Sequence, residues 1–288
     1  MGDRLALLVL DGYPAAGRAA LQAAGATQAG PLYARTLREL APGAQITIGT
    51  PADPDWELPP GTSLASFDGV LWTGSSLTIH REGDPRVARQ LALVRAAFAA
   101  GVPSFGSCWG AQLAVVAAGG SCAAHPGGRE FGVARGIRLS EAGREHPLFR
   151  NKPPVFDALT SHEDQVVELP RGGRLLASND WSAVQALQVD QAAGSFWGVQ
   201  YHPEYDLAEV AALCRLRAAE LVEQGMFPDH PAAAAWSSDA DALHADPARA
   251  DLVASLRVGE AVRVPALRRL EIANFLAVAV EPAAARRR

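Results

Sequence analysis

Across residues 102–118 an apolar run of strand character passes straight into one of helical character, with Phe105-Gly106-Ser107-Cys108-Trp109-Gly110-Ala111-Gln112 at the junction. A buried strand that enters a helix without an intervening loop belongs to a sheet covered by helices. Glycines at 106 and 110 permit a tight turn and a close approach of neighbouring backbone. The turn presents the Cys108 thiol at the sheet edge. The N–H groups of the helix behind it favour negative charge there and could serve a developing oxyanion. Taken alone, the segment reads equally well as a buried cysteine beside a turn.

The rest of the chain supplies the sheet. Residues 5–10 form a continuous apolar run stopped by Asp11-Gly12, as expected of a strand covered on both faces. Residues 12–30 are rich in Ala and Gly and carry no clear assignment. Helical spacing over 32–40 puts Leu32, Leu37 and Leu40 on one side before Pro42-Gly43. Residues 45–49 are a second strand, and 51–61, with four prolines, must be loop. A third strand over 67–72 ends in Thr73-Gly74-Ser75-Ser76. A helix from Asp84 or Pro85 to about 99 turns Val87, Leu91, Val94 and Phe98 inward. Strand 102–105 and helix 109–118, stopped by Gly119-Gly120, complete the alternation.

Beyond residue 120 the character changes. Short strand candidates at 136–139, 165–169, 175–177, 183–189 and 196–200 are separated by turn residues, which predicts an antiparallel extension of the sheet. After Tyr205 the pattern is helical. Residues 207–224 carry Val210, Leu213, Leu216 and Leu221 on one face, 228–246 read as a Pro/Ala/Ser/Asp linker, and 249–256 and 265–280 read as two more helices. The expected organisation is an α/β three-layer sandwich on a mostly parallel sheet over residues 1–206, with a helical extension over 207–288. That extension is expected to shape access to Cys108, dock a partner, or simply cover an exposed face.

Composition narrows the function. With 49% hydrophobic and 20% charged residues the 288-residue chain can bury a core. Its formal net charge of -5 and the lack of a basic cluster other than Arg286-Arg287-Arg288, read as a frayed tail, argue against nucleic-acid binding. No apolar run reaches about 18 residues, so no membrane span is expected. The N-terminal run reads as a strand rather than a signal peptide. Three cysteines, an odd number, suit a reducing compartment, and a cytoplasmic location is expected. Cys122 and Cys214 have no base nearby in sequence and read as buried small apolar residues. The seven histidines show no metal-ligand spacing, and no nucleotide-binding glycine motif is present. Neither a metal nor a cofactor is expected.

The segment Gln200-Tyr201-His202-Pro203-Glu204 follows the 196–199 strand directly. Strands of a parallel sheet deliver such residues to one edge. Thiol, imidazole and carboxylate together make an activated nucleophile: Cys108, the base His202, and Glu204 to orient it.

Gly106-Ser107-Cys108-Trp109-Gly110-Ala111-Gln112 together with His202-Pro203-Glu204 resembles the class I glutamine amidotransferase family over roughly residues 5–206. The resemblance implies a flavodoxin-like fold, a γ-glutamyl thioester on Cys108, and acid–base work by His202. It implies that backbone N–H groups near Gly74 and Ser75, with that of Trp109, face the oxyanion. The family often has two consecutive glycines where this chain has Thr73-Gly74. Gln112, one helical turn past Cys108, would help frame the substrate. Gly128-Arg129-Glu130-Phe131-Gly132 and Ser161-His162-Glu163-Asp164 resemble segments of stand-alone and GMP-synthase-like members, which makes Ser161 and His162 candidates for recognising the glutamyl group.

Three functions stay open. The favoured one is hydrolysis of glutamine to glutamate and ammonia, the ammonia passing to a separate synthase subunit. The second is hydrolysis of γ-glutamyl peptides or amines. The third is a catalytically silent binding module. The substrate is a small molecule in the first two, and homo-oligomerisation is left open.

Overall fold

The computed structural model describes residues 4–81 and 83–287, with side chains through 285. The expected tail at Arg286-Arg287-Arg288 therefore lies outside the described side chains. Among the described residues there are eleven strands: β1 (Ala6–Leu10), β2 (Gln45–Gly49), β3 (Gly69–Trp72), β4 (Ser104–Ser107), β5 (Ser121–Ala124), β6 (Glu130–Leu139), β7 (Val155–His162), β8 (Asp164–Glu168), β9 (Arg174–Ser178), β10 (Ala186–Gln191) and β11 (Gly194–Val199). Nine form one sheet in the order β2-β1-β3-β4-β11-β10-β9-β6-β7, and β5 pairs with β8 separately. From β2 to β11 every pairing is parallel; from β11 to β7 every pairing is antiparallel.

Strands β1 and β3 of the parallel half are apolar because both their faces are covered. Leu7, Val9, Leu71 and Phe105 point to one face, where Tyr33, Leu37, Phe275 and Val280 meet them. Leu8, Leu10, Val70 and Trp72 point to the other, against Val94, Phe98 and Leu113. This is the expected three-layer α/β architecture, with β4 and β11 adjacent at its centre.

Several expectations are corrected. Residues 228–246 are not a linker but the helix His230–Ala245, capped by the Asp229 side chain. Its buried face is Ala233, Ser237, Ala240 and Leu243, small residues that give little hydropathy signal yet allow close packing on Leu207–Leu216. The unassigned 12–30 stretch holds the helix Ala15–Ala23 and the start of Ala29–Leu40. The single helix expected over 207–224 breaks at Arg217 into Leu207–Leu216 and Ala218–Glu223. The helix expected over 265–280 is a succession of short segments with a π-helical turn at Leu276–Val280. Strands β5 and β7 carry no separate signal in the sequence reading, and β8 joins β5 rather than the main sheet.

The appended helices pack into the rest of the chain. Glu271 receives the Tyr201 hydroxyl at 2.6 Å and the Lys152 ammonium at 2.9 Å, all three being buried. Phe275 packs on Phe105 and Trp197.

Candidate active site

At the end of β4 the backbone of Cys108 takes φ 49° and ψ −103°, and the helix Trp109–Ala117 starts at the next residue. A positive φ at a non-glycine residue is strained, and such strain collects at functional sites. Its N–H donates to Val199 O at 2.7 Å, tying the turn to the end of β11. The flanking glycines are required by contact. A Cβ on Gly106 would lie 2.7 Å from the Gly110 backbone, and one on Gly110 would lie 2.7 Å from Trp72 Cβ.

Strand β11 delivers His202 to the same edge. The Cys108 thiol and the His202 ring line the same cleft. On the other side of the ring Nδ1 donates to Glu204 Oε1 at 2.7 Å. Tyr205 stacks on the imidazole, with ring centroids 3.9 Å apart. Cys108, His202 and Glu204 are all buried. Burial alone pushes the imidazole down, but the Glu204 charge, the neighbouring Cys108 and the hydrogen bond to Glu204 outweigh it and raise His202 from 6.5 to about 9.

Two buried hydroxyls stand behind Glu204. Ser107, the residue before Cys108, lies 2.9 Å from Glu204 Oε1, and the Tyr33 hydroxyl lies 2.6 Å from Ser107 Oγ. Tyr33 sits on the helix Ala29–Leu40, whose first turn is anchored by Gly30 N–H on Asp11 Oδ2.

Gly74, Ser75, Cys108, Trp109, Gln112, Ser161, His162 and His202, which the sequence singles out, line one cleft, with Glu204 behind the imidazole. The 73–75 loop is braced against the turn after β1. The Thr73 hydroxyl accepts from Gly12 N–H and donates to Gly74 O, and the Ser75 hydroxyl donates to Gly12 O. Threonine at the position where the family often has glycine thus closes the loop by hydrogen bonds. A Cβ on Gly74 would meet His202 Cε1 at 2.9 Å, so the loop approaches the imidazole directly.

On the opposite wall, Gln112 Nε2 donates to Asp164 O at 3.1 Å. His162 Nε2 contacts Glu130 Oε2 at 2.8 Å, while Nδ1 faces Asp164 O at 3.0 Å. Glu130 also accepts from Asn179 and Gln185. Burial raises its carboxyl, but these partners, His162 first among them, bring it below the usual range. The Gly-Arg-Glu-Phe-Gly and Ser-His-Glu-Asp segments are therefore not solvated loops. They meet across β6 and β7 and brace the cleft.

Tyr13 and Arg217 also line the cleft, and the sequence reading singled out neither. Tyr13 follows β1 at the same sheet edge, so edge convergence could have flagged it. Arg217 enters at the break between two appended helices, where no local motif points to the site.

This fold and site define a thiol-dependent amide hydrolase. The Glutamine amidotransferase class-I family pattern matches residues 69–213. A gamma-glutamyl-L-1-hydroxyisopropylamide hydrolase from Pseudomonas sp is 35% identical over 237 residues, covering 78% of this chain and 76% of its own. A GMP synthase [glutamine-hydrolyzing] from Streptomyces avermitilis is 32% identical over 174 residues, 60% of this chain but only 30% of the synthase. A glutamine amidotransferase from Thermotoga maritima superposes with TM-score 0.68 at 15% identity, covering 97% of this chain and 99% of that one. One from Methylobacillus flagellatus gives TM-score 0.62 at 19% identity, covering 94% and 92%. The chain belongs to the class I glutamine amidotransferase family and is an enzyme of the glutaminase type.

Proposed function

We propose that the enzyme is a γ-glutamyl amide hydrolase that acts on a conjugate of glutamate with a small amine, through a γ-glutamyl thioester on Cys108. The observation that carries this reading is the breadth of similarity to the Pseudomonas hydrolase. At 78% of the chain the match is longer than residues 1–206, so it includes part of the appended helices. The match to the Streptomyces synthase takes in 60% of the chain.

The chemistry follows from the residues. His202 takes the thiol proton, and the thiolate attacks the γ-carbonyl carbon. Backbone N–H groups of Trp109 and of the Gly74-Ser75 loop are suited to hold the oxyanion. As the intermediate collapses, the C–N bond breaks and His202 gives its proton to the departing amine. Water, deprotonated by His202, then attacks the thioester, releasing glutamate and the free thiol. Glu204 orients the imidazole, and Gln112, Ser161 and His162 frame the glutamyl group. Among the described residues, none of 247–285 lines the cleft, which supports a covering role for that part of the extension.

The test is a panel of γ-glutamyl amides and glutamine with the wild type and Cys108→Ser, reading glutamate release and the intact mass of the acyl-enzyme. Turnover of the amides well above that of glutamine, with a γ-glutamyl adduct on Cys108, supports the reading. Turnover of glutamine alone favours the second reading, a glutaminase that feeds ammonia to a separate synthase. The similarity to GMP synthases motivates that alternative.

A further inference from the structure

We infer that Gln90 is a positioning residue for the oxyanion site. Its one buried amide sets the spacing between the two segments, Trp109 and Gly74-Ser75, whose backbone N–H groups are proposed above to hold the oxyanion. The inference rests on that thioester chemistry and is indifferent to which amine leaves.

Gln90 lies on the helix Pro85–Ala100, whose other buried residues are Val87, Val94, Ala97 and Phe98. It is 1% exposed, so its amide must find partners inside the protein. Two of those partners belong to the site. The Trp109 indole Nε1–H donates to Gln90 Oε1 at 2.9 Å. An indole N–H only donates, so the amide oxygen must face Trp109 and the amide nitrogen must face away. That nitrogen meets two carbonyls, Gly12 O and Arg86 O, each at 3.4 Å, and has a hydrogen for each.

Gly12 carries the link onward. Its carbonyl also accepts the Ser75 hydroxyl at 2.8 Å, and its N–H donates to Thr73 Oγ1 at 3.0 Å. Its backbone is wedged between the two segments: an added Cβ would lie 2.7 Å from Trp109 Cδ1 and 3.0 Å from Gly74 O. The sheet pairs β3 with β4 only as far as Trp72 and Gly106. Past that point a side-chain path joins the loop to the start of the helix, from the Trp109 indole through the Gln90 amide and the Gly12 carbonyl to the Ser75 hydroxyl. Donors aimed at a developing oxyanion act by being set in advance, and a misplacement of about 1 Å can cost about 100-fold. A scaffold role alone would be met by an apolar pair at 90 and 109, with no buried polar groups to satisfy.

The experiment compares the wild type, Gln90→Met and the Gln90→Met/Trp109→Phe double variant on glutamine and γ-glutamylethylamide. It reads kcat, KM, the inhibition constant of glutamate, the intact mass of the acyl-enzyme and the melting temperature. Gln90→Met is expected to lower kcat by about 10- to 100-fold with whichever of the two substrates the wild type turns over, while KM and the glutamate constant stay unchanged. The double variant also removes the stranded indole donor, so it should regain melting temperature and keep the low kcat. It carries the test by itself if Gln90→Met does not fold. An unchanged kcat in Gln90→Met overturns the inference. So does a double variant that regains kcat along with its stability, since the amide then serves only the scaffold. A rise in the glutamate constant equal to the loss in kcat/KM overturns it by placing Gln90 with the glutamyl group. A wild type that turns over glutamine alone overturns the hydrolase reading and leaves this inference standing. A wild type that forms no γ-glutamyl adduct on Cys108 overturns both.

Discussion

Ser107 Oγ donates a 2.9 Å hydrogen bond to Glu204 Oε1, the oxygen that also accepts from His202 Nδ1. A serine has one hydroxyl hydrogen, so Tyr33 must be the donor in the 2.6 Å contact to Ser107. Tyr33 keeps that hydrogen, because burial and the nearby Glu204 raise its pKa well above the usual value. The chain of donors runs one way, from Tyr33 through Ser107 to Glu204. Glu204 Oε2 is buried without a partner among the described residues, so Oε1 alone fixes the carboxylate. Ser107→Ala is expected to lower kcat about 10-fold with little change in KM, the cost of about one hydrogen bond to a charged group. It also strands the Tyr33 hydroxyl, so the Ser107→Ala/Tyr33→Phe double variant should regain stability but not kcat. Unchanged kcat in Ser107→Ala would show that Glu204 holds its place without the hydroxyl.

The strained turn gives a second expectation. Cys108→Gly should abolish turnover and raise unfolding stability by on the order of 1 kcal/mol, because glycine adopts a positive φ without strain. A melting temperature below that of the wild type would show that the buried thiol contributes more than the strain costs.

The pH dependence of His202 has a defined sign. Its pKa is raised on folding from 6.5 to about 9, so the stability it contributes is fully present below pH 6.5 and is lost as pH rises through about 9. Activity should follow on the alkaline side, with kcat/KM falling above about pH 9 as the Cys108–His202 pair loses the one proton it shares and hands to the leaving amine. Glu204→Gln removes the strongest of the influences that raise the value, and should move that limb to lower pH. A limb unmoved by this substitution would assign it to another group.

His146 titrates the other way. Burial, first, and then the charge of Arg174 hold it down at about 4, against hydrogen bonding to Gln188. It accepts Leu148 N–H on Nδ1, and Nε2 contacts Gln188, an arrangement that fits the neutral ring. The stability due to this neutral form is present above pH 6.5 and lost as pH falls towards 4, about 3 kcal/mol in all. Urea melts between pH 7 and 4 should show this slope in the wild type and a shallower one in His146→Gln.

Glu271→Ala leaves the Lys152 ammonium buried without its carboxylate, and should cost about 3–5 kcal/mol. For the same reason, and because Phe275 and Val280 belong to the core that covers β1 and β4, deletion of residues 247–288 should lower the melting temperature far more than it changes KM in any molecules that stay folded. A truncated enzyme with wild-type stability and altered KM would restore the access-shaping role.

The parallel half of the fold was legible because β1 and β3 are apolar runs closed by turn residues, and because Cys108 and His202 both sit where short strands end. The helix His230–Ala245 was not, since its buried face is mostly alanine and serine and Asp229 and Pro231 mark its start rather than a break. Strand β7 has Asp157, Thr160 and Ser161-His162 among its apolar residues, so it presents no continuous apolar run. Tyr33 and Arg217 reach the site by tertiary packing from 74 residues before Ser107 and from an appended helix pair, distances across which no spacing rule operates.

The approach of Gly74 to His202 bears on how the reaction can be timed. The imidazole is stopped at its Cε1 edge by the 74 backbone, covered on one face by Tyr205, and tethered at Nδ1 by Glu204. A ring held on three sides cannot turn over between acylation and deacylation. In the proposed mechanism one nitrogen then receives each proton and hands it on, so the ring is free for water only once the first amine has carried its proton away.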